Sequence, residues 1–384
     1  MRVGILYTAA LRQGGGIGRY ARGLTGALLA LEGAREHAFT LVVARDAPLD
    51  RLPALPAHAR VRRLPLPDRW LTILWHRLDL PLWLDAWAGP WDVFHAPDFT
   101  LPPLRRAPGI VTVHDLSFLT YPAGAVPSLR RWLEVAVPRS VARAAHVLAD
   151  SESTRRDLEA RMGVAPGRIT VVGAGVEPRF RPVADAAALA AVRARYGLPE
   201  RFVLGVGTLE PRKNFDGLIR AFEAVAPDVP DLHLVIGGGG GWRFEPVRAL
   251  AAASPVGDRI HWAGFVDDAD LPVLYAAARL FAFPSHYEGF GIPVVEAMAC
   301  GTPVVAADNS SLPEVVGDAG LLVPATDAAA LADAIRRLDG DAALREACRA
   351  RGLARAARFS WTAAAERLLG VYERVGDTRL AERP

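Results

Sequence analysis

The chain has 384 residues, 51% of them apolar and 23% charged, a globular composition that excludes extended disorder. At roughly 150 residues per domain it calls for two domains, or three. A formal net charge of +3 is too small to indicate nucleic acid without a clustered patch. The two cysteines, Cys300 and Cys348, cannot build a disulfide framework and suit a reducing compartment. No apolar run reaches the length of a membrane span, and Met1 to Tyr7 reads as a strand, not as a secretion signal. These features lead us to expect a soluble, cytoplasmic protein.

In chain order, the first half alternates β-rich runs with helical patterns. The expected strands are Arg2–Tyr7, Phe39–Ala44, Asp92–Ala96, Gly109–Asp115, His146–Ser151 and Ile169–Gly173, with the glycine loop Gly14–Gly18 and a helix from Arg19 to Leu31 after the first. The second half repeats the plan with Phe202–Gly207, Leu232–Gly237, Ile260–Gly264, Leu280–Ser285, Thr302–Ala307 and Gly320–Pro324. Helices then follow over 327–338 and 342–351, with a last one capped by Ser360. Alternation of this kind predicts parallel sheets with helices on both faces. The expected fold is α/β, with two doubly wound Rossmann-like domains facing a central cleft. We place the first domain at 1–175, a connection at 176–199 and the second domain at 200–358. Residues 359–384 are expected to form a helix packing back across the junction, with a frayed tail from Asp377.

Ligands of open α/β sheets bind beyond the carboxyl ends of the strands, which selects three loops. Gly14–Gly18 lets a backbone approach an anion and presents N–H groups at a helix start, although a tight turn explains such loops about as well. The second loop holds Arg212 and Lys213, and Lys213 is the one lysine among 45 basic residues. Two cations ahead of a helix oppose its dipole by roughly 0.3–1 kcal/mol each, a placement that makes sense if an anion sits between them and the helix. The third and most specific loop is His286-Tyr287-Glu288-Gly289-Phe290-Gly291-Ile292-Pro293-Val294-Val295-Glu296. There two carboxylates flank a glycine-rich helix start, suited to sugar hydroxyls and a phosphate. His95, His114 and Asp115 end core strands and are weaker candidates. Asp268-Ala269-Asp270 matches a D-x-D metal signature but reads better as a helix cap. With no H-E-x-x-H or paired-cysteine spacing, a metal-independent enzyme is expected.

With these segments the chain resembles a retaining glycosyltransferase of family 4 (glycosyltransferase group 1), which has the GT-B fold. The resemblance covers essentially the whole chain through GGGIGRY, VTVHDLSF, VLADSESTRRDL, VGTLEPRKN, GFVDDADLPVLYAAA and SHYEGFGIPVVEAMACGTPVV. It implies that Glu296 binds the nucleotide ribose and Glu288 the donor sugar, with N–H groups near Phe290, Gly291 and Ile292 adding contacts. Lys213 would neutralise the diphosphate, Gly15 and Gly16 would approach it from the other domain, and His114 would lie by the transferred sugar. The base would be held by the backbone near Val266. One departure is Thr208, where many members carry an arginine, leaving Arg212 as the candidate second cation. The GTLEPRKN form resembles the mannosyltransferase subgroup, which implies GDP-mannose as donor and a glycan or lipid-linked saccharide as acceptor. No cofactor beyond that co-substrate and no nucleic-acid partner is implied. A phosphorylase, a nucleotide-sugar epimerase and a non-catalytic nucleotide-sugar-binding protein share this architecture and stay open, whereas the missing G-x-G-x-x-G disfavours a dehydrogenase.

Residues 60–91 contain five of the nine tryptophans, together with Arg60, Arg62, Arg63, Arg69 and Arg77. Two readings fit. Leu71, Leu74, Trp75 and Leu78 suit the core face of a crossover helix, or the segment is a peripheral surface for the inner face of the cytoplasmic membrane.

Overall fold

The computed structural model describes residues 1–381, with side chains described as far as Asp377. It divides into two compact units. One comprises Met1–Leu116, Pro127–Gly175 and the chain from Ser360 onward; the other comprises Ser117–Val126 and Val176–Phe359.

The first unit is built on β1 (Arg2–Leu6), β2 (Ala38–Val43), β3 (Ala59–Arg63), β4 (Val93–Ala96), β5 (Gly109–Val113), β6 (His146–Ala149) and β7 (Ile169–Val171). They pair in parallel in the order β3-β2-β1-β4-β5-β6-β7. Every residue of β4 and β5 is buried, as central strands covered on both faces must be. β3 is an element the sequence did not reveal. Its run Ala-Arg-Val-Arg-Arg carries too much charge to read as a strand, yet it pairs with β2 in regular register from Phe39↔Ala59 to Val43↔Arg63. Exposed arginines on such an edge discourage further pairing.

The last helix, Trp361–Ala381, belongs to this unit. Gly23 and Gly175 are small because Trp361 packs on them; a Cβ at Gly23 would lie 2.5 Å from the indole. Further along, the Tyr372 hydroxyl lies 2.7 Å from His95 Nδ1, while His95 Nε2 lies 2.8 Å from Thr112 Oγ1. Burial pushes the His95 imidazole down to about 3, so it is a neutral bridge within the core and not a ligand-facing group. The helix runs through much of the stretch expected to fray; residues 382–384 lie outside the described residues.

The tryptophan-rich segment divides between the two readings. Leu71 and Trp75 are core residues, each 3% exposed, whereas Leu78 is 59% exposed. A short helix (Asp68–Thr72) runs into a wide turn (Ile73–Arg77), so a single helical stripe does not persist beyond Arg77.

The second unit contains β8 (Phe202–Val206), β9 (His233–Gly237), β10 (Ile260–Gly264), β11 (Leu280–Phe283), β12 (Val304–Ala307) and β13 (Leu321–Val323). Their order is β10-β9-β8-β11-β12-β13, again parallel. The helix Phe215–Val225 buries Phe215, Leu218, Ile219, Phe222 and Val225, an i, i+3, i+4, i+7 stripe that seats it on the sheet. Residues 176–199 include the helix Ala186–Tyr196. Ser117–Val126 also counts with this unit; there Tyr121 stacks on His286 with ring centroids 4.9 Å apart. In both sheets the order reverses at the first strand, between β1 and β4 and between β8 and β11. The loops after β8 and β11 therefore emerge side by side at the carboxyl edge, where a doubly wound sheet opens a crevice.

Candidate functional site

After β8 the chain passes Thr208 and enters the tight turn Pro211–Lys213. Asn214 then adopts a left-handed conformation (φ 57°) and caps the helix Phe215–Val225, its side-chain oxygen accepting from Gly217 N at 3.2 Å. The amide nitrogen of the same side chain donates to the carbonyls of Pro284 (2.9 Å) and Ala325 (2.7 Å). One buried asparagine thus ties the Lys213 turn to the segment after β11. In the sequence it was only a helix start; asparagine's preference for both caps and left-handed backbone was the available signal.

That tie brings Arg212, Lys213 and Glu288 together. Lys213 Nζ is 2.7 Å from Glu288 Oε1 and Arg212 Nη1 is 2.9 Å from Oε2. Arg212 also donates to the Tyr287 carbonyl at 2.8 Å and pairs with Glu210 at 2.7 Å. The Lys213 ammonium lies 4.9 Å from the centre of the Phe283 ring, a favourable cation–π placement. Burial pushes the Glu288 carboxyl up, but Arg212 and Lys213 together more than offset this and hold it at about 2. Burial lowers the Lys213 ammonium, with the Glu288 charge opposing and Arg212 reinforcing that shift. The anion that these cations call for at a helix head is therefore in part the protein's own Glu288. Thr208, at the position of the departure, is exposed, and Arg212 is the second cation beside Lys213.

Two serines on the segment after β12 shape the Glu288 loop. Ser310 Oγ accepts from Glu288 N at 2.9 Å, and the buried Ser311 hydroxyl lies 2.9 Å from the carbonyls of both Glu288 and Phe290. Neither was legible in advance, because they reach the loop only through the tertiary fold. Gly291 (φ 104°) starts the helix Ile292–Ala299, and a Cβ there would lie 2.9 Å from Leu312. Glycine is required at this helix start. Phe290 sets its ring edge-on to Phe359 at 5.6 Å. Glu296, 2% exposed, accepts from the Tyr275 hydroxyl at 3.2 Å. Val266, 6% exposed, follows β10. Gly238 N donates to Gly264 O at 2.7 Å and a Cβ at Gly238 would sit 1.9 Å from Gly207 O, so the ends of β8, β9 and β10 converge tightly.

The D-x-D segment corrects the capping expectation. Asp270 stands at the start of the helix Leu271–Ala277 without capping it; its carboxylate takes Arg195 at 2.6 Å and Tyr196 at 2.8 Å instead. Among the described residues no three His, Cys, Asp or Glu side chains cluster as a metal site.

In the first unit, Gly15 and Gly16 open the helix Gly16–Ala30. A Cβ at Gly14, Gly15 or Gly16 would meet nothing within 4 Å. Internal packing does not require glycine there, and the space over this N-terminus is open. His114 follows β5 and is 6% exposed. Its Nδ1 lies 2.8 Å from Asp150 Oδ2 and its Nε2 lies 3.0 Å from the Pro97 carbonyl, with Tyr20 and Phe99 edge-on at 4.9 and 5.2 Å. Burial lowers the imidazole, but Asp150, helped by Asp98 and the Pro97 carbonyl, more than reverses this and raises it to about 9. His114 is therefore an imidazolium with both N–H groups engaged. Asp150, the partner that fixes it, was overlooked in the sequence despite being a polar residue straight after an apolar strand.

Two family models cover most of the chain: glycosyltransferase family 4 over residues 14–180 and glycosyl transferases group 1 over residues 192–355. An O-antigen chain mannosyltransferase B from Escherichia coli is 36% identical over 284 residues, 73% of this chain and 74% of that one. The chain belongs to the group 1, family 4 glycosyltransferases. A D-inositol 3-phosphate glycosyltransferase from Salinispora tropica is 41% identical over 63% of this chain, although the match spans only 54% of that enzyme. Among solved structures, sucrose-phosphate synthase from Thermosynechococcus elongatus aligns with 98% of this chain and 100% of its own at 24% identity and a TM-score of 0.77. This glycosyltransferase has the GT-B fold.

Proposed function

We propose that this glycosyltransferase moves mannose from GDP-mannose to a glycan or lipid-linked saccharide, with retention of anomeric configuration and without a metal ion. The observation that carries the reading is the pair of cations, Arg212 and Lys213, fixed on ionised Glu288 where the second sheet reverses its order. A nucleotide sugar departs as a diphosphate, and the negative charge developing on it is the main obstacle to transfer. Cations held in place before the reaction, in a buried setting, stabilise that charge without reorganising. They take the part that a divalent ion plays at other diphosphate sites, which is the ground for expecting metal independence.

The remaining roles follow the same chemistry. An ionised carboxylate has about four acceptor positions, so Glu288 can hold both cations and still accept from hydroxyls of the donor sugar. Glu296 takes the ribose hydroxyls. N–H groups around Phe290, Gly291 and Ile292, at a helix N-terminus, take phosphate and sugar oxygens, and the backbone at Val266 takes the base. The acceptor hydroxyl attacks on the leaving-group face, and a departing phosphate oxygen takes its proton. The mannose assignment is supported by the Escherichia coli relative, an O-antigen chain mannosyltransferase.

Incubation with carbon-13-labelled GDP-mannose and a mannose-terminated oligosaccharide in EDTA, followed by NMR of the anomeric carbon, tests this reading. An α-linked product with release of GDP is expected from the α-linked donor. A β-linked product, or transfer only after a divalent metal is restored, would contradict it.

A further inference from the structure

Ten large apolar side chains are exposed among the described residues, and six of them fall within one short stretch: Trp70, Leu78, Leu80, Leu82, Trp83 and Trp87. Arg77 through Trp83 is an unbroken exposed run. Scattered single apolar residues need no explanation, but a contiguous patch of this size does. It is also anchored. Trp75, on the buried side, donates from Nε1 to the Leu82 carbonyl at 3.1 Å, and Leu84 N donates to Pro103 O at 2.9 Å. Asp79 is tied to Arg143 at 2.9 Å, on the helix Pro127–Arg143.

Charge decides what such a face fits. Arg69, Arg77, Arg105 and Arg106 are exposed on or beside it, with no carboxylate partner among the described residues. Arg69 lies over Trp70 and Arg105 over Trp83, at 5.4 and 5.2 Å from the ring centres. Asp79 and Asp85, within the exposed stretch, are already committed. Asp79 is paired with Arg143, and the buried Asp85 accepts the backbone N–H groups of Arg105, Arg106 and Ala107 at 2.6–2.8 Å. Trp, Leu and unpaired Arg exposed together in one short stretch match the boundary between acyl chains and anionic headgroups.

We infer that the face formed by Trp70, Leu78, Leu82, Trp83, Arg77 and Arg105 docks the first unit on an anionic lipid bilayer. The aromatic and leucine side chains enter the interface while the guanidinium groups meet the headgroups. This binding is independent of the donor and of the reaction catalysed.

The test is sedimentation of the full chain with vesicles of phosphatidylcholine alone and of phosphatidylcholine mixed equally with phosphatidylglycerol. Binding to the anionic vesicles that weakens with salt is expected. The combined change Arg77→Gln, Arg105→Gln and Arg106→Gln should weaken partitioning roughly a hundredfold, at about fivefold per cation. Leu78→Ser, Leu82→Ser and Trp83→Ser together should abolish it, with far-UV circular dichroism confirming that each variant is folded. Failure of the wild-type chain to bind anionic vesicles, or equal binding by the arginine variant, overturns the inference. So does a dimer in vesicle-free light scattering that the Leu78, Leu82 and Trp83 changes abolish, since a second copy would then be the occupant.

Discussion

Lys213→Ala should lower kcat by two to three orders of magnitude, about 3–4 kcal/mol, the size found when one preorganised donor to a developing oxyanion is removed. The loss belongs in kcat because the leaving-group charge grows mainly in the transition state. Fold stability should change far less, since Arg212 stays 2.9 Å from Glu288 and keeps that buried carboxylate paired. Lys213→Arg should recover only part of the activity. The ammonium sits between Glu288 Oε1 at 2.7 Å and the Phe283 ring at 4.9 Å, and a planar fork does not occupy that space as a compact point charge does. Steady-state kinetics on the donor would check this; turnover within twofold of wild type would remove Lys213 from the chemistry.

His114→Leu should produce the largest loss of stability, about 3–5 kcal/mol, because it leaves the buried Asp150 carboxylate without its countercharge. His114 and Asp150 are 6% exposed each. Replacing both, with Asp150→Leu added, should restore much of the loss, since an apolar pair no longer buries an unpaired charge. Urea denaturation of the two single variants and the double variant measures this; additive losses would contradict it. The pair also sets a pH dependence. His114 in the folded chain titrates near 9, above the roughly 6.5 of a free imidazole. Its contribution is therefore fully present below about pH 6.5 and is lost as pH rises through about 9, on the order of 3 kcal/mol. His114→Leu should remove that alkaline loss of stability.

Much of the architecture was legible because both sheets are parallel and buried, so their strands read as short apolar runs bounded by glycine and proline. β3 escaped because an edge strand can afford three arginines. The functional loops were legible for a different reason. Gly291, Glu288 and Lys213 violate local expectations, with a left-handed helix start and charges where packing wants none, and such violations mark chemistry. What supports them was not legible. Asn214, Ser310, Ser311 and Asp150 act through contacts with carbonyls and side chains distant in sequence, and nothing in their immediate neighbours announces those partners. His95 misled for the complementary reason: it ends a core strand as His114 does, but its partner Tyr372 lies 277 positions away on the last helix.

Thermal denaturation with GDP, GDP-mannose and the corresponding uridine and adenosine compounds, in the presence and absence of EDTA, tests the central claim most directly. A ligand that binds the folded chain must stabilise it, by about 2.7 kcal/mol at a hundredfold excess over Kd. The cluster of Arg212, Lys213 and Glu288 requires a rise in Tm with one nucleotide family, unchanged by EDTA and weakened in Lys213→Ala. No shift with any of these compounds at millimolar concentration would contradict the assignment of this cluster to a nucleotide sugar.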